Sequence, residues 1–231
     1  MVQRLALLLL ALLPLAACDR SPAPEAAPAA TAAPAGGAPV AGVDYIDISG
    51  GQAYAPQAGK VEVVEAFGYP CPHCAHFEPS LVEWKKKLPA NANLVAVPAP
   101  FGGPWDDFAR AYFAAEAAGL TGKTHDALFS AIHTENRLPH DATSDQIAAF
   151  YAEHGADRDA FLKSMNSPEV QAKLDHARNF LARVQAGSRV AVGTPMVIVA
   201  GKYRVDPDQR GYEKMLDTID KLIARENAPG R

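Results

Sequence analysis

The chain reads as an α/β protein whose core is interrupted by an inserted helical subdomain. Three observations predict this. Residues 61–100 alternate a β-rich run, an amphipathic helix and a second β-rich run; residues 105–187 carry helical periodicity throughout; residues 196–225 return to a hairpin and a closing helix. A helical block of that length between strands suits an insertion into a sheet better than one continuous layer.

The first strand is VEVVEAFG, residues 61–68, stopped by Gly68 and Pro70, with Val61, Val63, Glu65 and Phe67 on one face. A helix follows to about Leu88. Its apolar positions Cys74, Phe77, Leu81, Trp84 and Leu88 step by three and four, and Pro79 inside it is expected to kink it. The second strand is NLVAVPAP, residues 93–100. In the block, Phe108, Tyr112 and Ala115 mark one helix, and Leu128 and Ile132 another. Thr143 and Gln146 have the spacing of a capping box at the start of a third. The longest helix opens with Ser167 as N-cap and Pro168 in its first turn, and ends at Gly187. MVIVAGKYRV reads as a hairpin turning at Gly201-Lys202. The last helix, about 208–225, buries Tyr212, Met215, Ile219 and Leu222.

The beginning of the chain speaks of compartment. Arg4 precedes an apolar run from Leu5 to Leu15, in the order of a secretory signal peptide over residues 1–17, and the run is too short for an ordinary membrane span. LAAC, ending in Cys18, resembles a bacterial lipobox, in which the signal is cut before a cysteine whose sulfur carries a diacylglycerol. Each buried methylene contributes about 0.8 kcal/mol, so two or more acyl chains hold a protein stably to a bilayer. Asp19 resembles an inner-membrane retention signal. Residues 19–43 are almost entirely Ala, Pro and Gly, too poor in large apolar side chains to offset the entropy of ordering, and read as a disordered tether after the lipidated Cys18. Fully extended, such a tether reaches roughly 75 Å at about 3.1 Å per residue. The expected location is the periplasm, tethered to a membrane, most simply the inner one.

Charge excludes one class of partner. The chain has 22 Lys and Arg against 26 Asp and Glu, a net of −4, and removing the signal with its Arg4 makes it more acidic by one. Lys85–Lys87 is the only basic run, at the solvated end of a helix, so no nucleic acid is expected to bind.

The chemistry concentrates in YPCPHCAHFE. With Cys18 lipidated, only Cys71 and Cys74 remain in the folded part. Export allows a disulfide between them, but so short a loop constrains the unfolded chain little, so a structural staple is a poor reason for it. No second cysteine pair exists to complete a tetrahedral metal site, His76 is expected to turn outward, and Ala75 stands where haem attachment needs a histidine; no metal is expected. Redox chemistry fits each position. Cys71 lies at a helix N-terminus, where unpaired N–H groups and the dipole favour a thiolate. Such a thiolate is a good leaving group, so a Cys71–Cys74 disulfide is open to attack at the Cys71 sulfur. Cys74 points inward, and Pro72 and His73 lie between the two, His73 adding positive charge or a hydrogen bond towards Cys71.

EAFGYPCPHCAHFEP resembles the active-site segment of the DsbA thiol:disulfide oxidoreductases, thioredoxin-fold oxidants of exported proteins, and VGTPMVIVAGKY resembles that family's second motif. The resemblance covers residues 44–231, strong at the two motifs and topological between them. It implies a thioredoxin-like domain over 44–104 and 188–231, with 105–187 as its inserted helical domain. The family archetype is itself the standard illustration of a depressed cysteine pKa and a strongly oxidising disulfide, so those properties come with the resemblance and not from the residues. Carried over, Cys71 is the exposed nucleophile and Cys74 its buried partner. Pro195 is a cis-proline beside the disulfide, and Thr194 before it offers backbone to an extended client. Glu65 aligns with a buried acid that exchanges a proton with Cys74. The expected function is a dithiol oxidase that needs no cofactor beyond its own Cys71–Cys74 disulfide and acts as a monomer. Its partners are unfolded or reduced exported proteins and a DsbB-type membrane quinone reductase that reoxidises it. A reductase or isomerase of the same fold is the alternative, although isomerases of this group usually add a dimerisation domain for which the tether leaves no room. The third reading is a non-catalytic peptide-binding lipoprotein. Where the resemblance implies a basic, polar stretch on the second strand, the chain has LVAVPAP. His125, His133, His140, His154 and His176 are expected at the surface or at helix ends.

Overall fold

The structure is a computed structural model, and it describes residues 37–228. The signal segment, Cys18 and the tether as far as residue 36 lie outside the described residues.

One five-stranded mixed sheet carries the fold. Its strands are β1 (Ile46–Asp47), β2 (Val61–Phe67), β3 (Ala92–Pro98), β4 (Met196–Val199) and β5 (Tyr203–Val205), in the order β1-β5-β4-β2-β3. Only β2 and β3 run parallel, joined by the crossover helix α1 (Pro72–Lys85); the other pairings are antiparallel. Between β3 and β4 the chain forms α2 (Pro104–Ala117), α3 (Thr121–His133), α4 (Ser144–Glu153), α5 (Arg158–Met165) and α6 (Pro168–Ser188), and α7 (Gly211–Glu226) ends it.

All seven residues of β2 are buried, because the strand is paired on both edges and covered on both faces. Val61 and Val63 join Phe77, Leu81 and Trp84 of α1 and Ile219 and Leu222 of α7 in one core. Val64 and Ala66 face the other way, into a core continuous with the interior of the helical block. Local chemistry sets the helix starts. Thr143 and Gln146 form a complete capping box on α4, and Ser167 accepts from the Val170 N–H with Pro168 at the first helical position of α6. The helix α1 continues through Pro79.

Three expectations are revised. The hairpin turns on Ala200-Gly201, not Gly201-Lys202: both residues have positive φ, 52° and 67°, and the Lys202 N–H donates to the Val199 carbonyl. Glycine is required there for a second reason, since a Cβ at residue 201 would lie 2.3 Å from the carbonyl carbon of Gln52. Gly201→Ala is therefore expected to cost about 1–3 kcal/mol, read as a lowered denaturation midpoint with an unchanged slope. Residues 39–43, expected as the end of the tether, are held instead: Arg225 donates to the Pro39 carbonyl, and Arg210 to the carbonyl of Val43 and the carboxylate of Asp44. The short β1 and α5 add to the elements read from sequence. Among the described residues, no helix is long and apolar enough to cross a membrane.

Candidate active site

The site forms where three chain segments meet at the C-terminal end of β2. The strand pairs Phe67 with Pro98 and Ala66 with Met196, so the Gly68–Cys71 turn emerges beside the segment that enters β4 through Pro195. The turn is closed by the Cys71 N–H donating to the Gly68 carbonyl at 3.0 Å. Gly68 must lack a side chain, because a Cβ would sit 2.1 Å from the Trp105 ring.

Cys71 is the N-cap of α1 and Pro72 its first helical residue. Proline brings no N–H, so the first free donors of the helix belong to His73 and Cys74. These lie on the side of the Cys71 sulfur and help to hold its pKa down, although the Cys71 side chain makes no capping hydrogen bond. The Cys71 pKa is lowered from 9.0 to about 5, foremost by hydrogen bonding from the Cys74 thiol. Burial opposes this, and Thr194 and the backbone N–H groups of Cys74 and His73 add to it. Cys74 moves the opposite way: burial raises its pKa far above the ordinary thiol value, and the neighbouring Cys71 raises it further. Both cysteines are free thiols here. The expected exposed nucleophile is only slightly exposed: Cys71 retains 6% of its surface and Cys74 none.

The Thr194–Pro195 peptide bond is cis, and the Cys71 thiol donates to the Thr194 carbonyl at 3.3 Å. Pro72 and His73 are exposed, and His73 acts on Cys71 through its backbone N–H while its own carbonyl accepts from the Tyr212 hydroxyl at 3.0 Å. Glu65 is 1% exposed, and its pKa is raised well above the ordinary carboxylate value by burial and by the charge of Glu78, with Lys85 opposing. One oxygen each of Glu65 and Glu78 has no hydrogen-bond partner. A cleft of about 300 Å³ reaches Glu65 past Glu78, Lys85, Leu94, Tyr112 and His125.

Two histidines expected at the surface belong to this site. His125 and His133 of α3 both hold Tyr69, two residues before Cys71: the Tyr69 hydroxyl lies 2.8 Å from His125 Nδ1, and His133 Nε2 donates to the Tyr69 carbonyl at 2.7 Å. The other ring nitrogen of His125 is 3.4 Å from Glu78 Oε1. A neutral His125 protonated on Nε2 satisfies both neighbours. Phe67, Phe129 and Tyr112 pack around its ring, which explains its partial burial. The signal was present in the sequence as His125, Phe129 and His133, four residues apart on one helical face. His76 is exposed, and no group of three or more potential metal ligands is placed to hold an ion among the described residues.

A cysteine pair split between a stabilised thiolate at a helix start and a buried thiol one turn on, beside a cis-proline, defines a dithiol–disulfide centre of the thioredoxin type. Residues 62–220 match the family model described as the DSBA-like thioredoxin domain. A thiol:disulfide interchange protein DsbA of Pseudomonas aeruginosa is 37% identical over 192 residues, covering 83% of this chain and 87% of the relative. The DsbA of Azotobacter vinelandii is 40% identical over 173 residues, 74% and 78% of the two chains. The crystal structure of the oxidoreductase DsbA from Xylella fastidiosa superposes with a TM-score of 0.76 at 42% identity, covering 82% of this chain and 98% of that one. The chain belongs to the DsbA family.

Proposed function

We infer that this protein is a periplasmic thiol:disulfide oxidoreductase that donates a Cys71–Cys74 disulfide to reduced exported proteins. The observation that carries this is the opposite treatment of its two thiols, Cys71 held down to about 5 and Cys74 pushed up by burial. A client thiolate attacks the Cys71 sulfur, the S–S bond breaks, and Cys74 leaves with the electron pair and takes up a proton. A second client thiolate then attacks the client sulfur of the mixed disulfide. Cys71 leaves as a stabilised thiolate, so two electrons have passed to the protein and one disulfide to the client.

Glu65 supplies the proton that Cys74 needs. Its burial favours the protonated carboxyl, and the cleft past Glu78 gives it a route to water. Thr194 pairs with an extended client segment through its backbone, and Pro195 holds that segment against Cys71. A DsbB-type quinone reductase in the membrane restores the disulfide, and lipidation at Cys18 keeps the folded domain within reach of it.

The test is the equilibrium of the Cys71–Cys74 pair with glutathione. A potential close to that of protein disulfide isomerase or above it is expected, and one as reducing as thioredoxin's, about −270 mV, overturns the oxidase reading. In Glu65→Gln the same potential is expected with slower disulfide exchange, and an unchanged exchange rate removes Glu65 from the proton step.

A further inference from the structure

The cis-proline loop reaches Cys71 from the end of the helical block, and something must fix where it arrives. The helix α6 ends at Arg189, in the left-handed region at φ 60°, and residues 190–193 then run without regular structure to Thr194. Arg204 lies against the first part of this run. It belongs to β5, whose Tyr203 and Val205 face the α7 core, so alternation turns its side chain to the opposite side of the sheet.

The Arg204 side chain is 4% exposed. Nη1 donates to the Val190 carbonyl at 2.9 Å and approaches Ser188 Oγ at 3.5 Å, Nη2 donates to the Ala191 carbonyl at 2.8 Å, and Nε donates to Asp206 at 2.9 Å. A buried charge is costly unless its donors are met, and a planar fork is the one side chain that meets two successive carbonyls and a carboxylate together. A cation at the C-terminal end of a 21-residue helix is also favoured by the helix dipole. A second tie binds the same run, the Val192 N–H donating to Gln185 Oε1 at 3.3 Å. From Ala191 it is three residues to Thr194, whose carbonyl accepts from Cys71.

We propose that Arg204 is a positioning residue for the redox centre: by clamping the Val190 and Ala191 carbonyls it sets where Thr194 and Pro195 meet Cys71, and so tunes how oxidising the disulfide is. This rests on the redox role of Cys71. Freed from the clamp, residues 190–194 sample other positions, and Cys71 loses on average the Thr194 side-chain hydrogen bond that favours its thiolate. The thiolate is then less stabilised, reduction is less favoured, and the disulfide oxidises clients less strongly.

The test compares wild type with Arg204→Met, Arg204→Lys and Asp206→Asn in the full folded protein. Loss of about one weak hydrogen bond predicts that Arg204→Met raises the Cys71 thiol dissociation midpoint and weakens the glutathione equilibrium constant by about fivefold. Arg204→Lys, which keeps the charge without the fork, is expected to move both in the same direction by less. Asp206→Asn, which leaves the carbonyl contacts in place, is expected to move neither. A folded Arg204→Met with both quantities within about twofold of wild type overturns the proposal and leaves Arg204 a stabilising residue only. If Arg204→Met does not fold, Arg204→Lys decides by the same two readings. An Asp206→Asn effect equal to that of the Arg204 variants overturns it in favour of a plain charge effect. A wild-type Cys71 with an ordinary thiol midpoint instead overturns the redox reading on which all of this stands.

Discussion

Acidifying the reduced protein is expected to remove the Cys71 thiolate with a midpoint near pH 5, followed by its ultraviolet absorbance. The same titration has a consequence for stability. The folded value is depressed from an ordinary 9.0, so between about pH 5 and pH 9 the unfolded chain holds a proton that the folded chain has released. The stabilisation is fully present above the unfolded value and is lost as pH falls through the folded one. At about 1.4 kcal/mol per unit it amounts to an order of 3 kcal/mol at neutral pH. Cys74 is raised and stays protonated in both states over the lower part of this window, so it adds no slope there. The oxidised protein has no thiol at residue 71 and receives none of this stabilisation. Denaturation of the two forms should therefore show the reduced protein more stable at neutral pH, with the gap closing towards pH 5. A gap that does not change with pH contradicts the assignment of Cys71 as the stabilised thiolate.

Removing the two sulfurs one at a time should have unequal consequences. Cys71→Ser deletes the atom at which the proposed exchange begins and is expected to lower interchange at least about a thousandfold. Cys74→Ser keeps the Cys71 thiolate and removes the group that resolves a mixed disulfide. Challenged with an oxidised client, it should accumulate a covalent adduct, visible on a non-reducing gel and dissolved by dithiothreitol. An adduct in Cys71→Ser, or unhindered turnover in Cys74→Ser, contradicts the assigned order of attack.

What could be read from the residues was what neighbours in the chain determine. The strand Val61–Phe67, the cysteine turn after it and the helix start at Pro72 are local events, and each is written in alternation, in Gly68 and Pro70, or in a capping position. The capping box of Thr143 and the Ser167-Pro168 start of α6 were legible for the same reason. The two-residue β1 is too short to show any period, and the eight-residue α5 presents only Phe161 and Met165 to the core. The hairpin was displaced by one residue because an alanine in the left-handed region is unfavourable in isolation, and the sheet register and the packing of Gly201 on Gln52 impose it. The histidines were misplaced because their partner is distant: His125 and His133 reach Tyr69 across 56 and 64 residues. Nothing in the sequence marks Arg204, because the two partners that tie it to the cis-proline run are backbone carbonyls, which leave no mark on a sequence.

The grip of α3 on Tyr69 bears on whether the helical block is a detachable addition. A sheet, α1 and α7 would retain both cysteines and the cis-proline, and on paper they make a smaller enzyme. Yet the residue two before Cys71 has its hydroxyl and its carbonyl bound by His125 and His133, and its ring buried among Phe108 and Phe129. A version trimmed of residues 104–188 would keep the reacting atoms and lose the mould that shapes the turn presenting them. The inserted helices are thus part-owners of the reaction, and shortening this protein is a problem of rebuilding a wall, not of pruning an ornament.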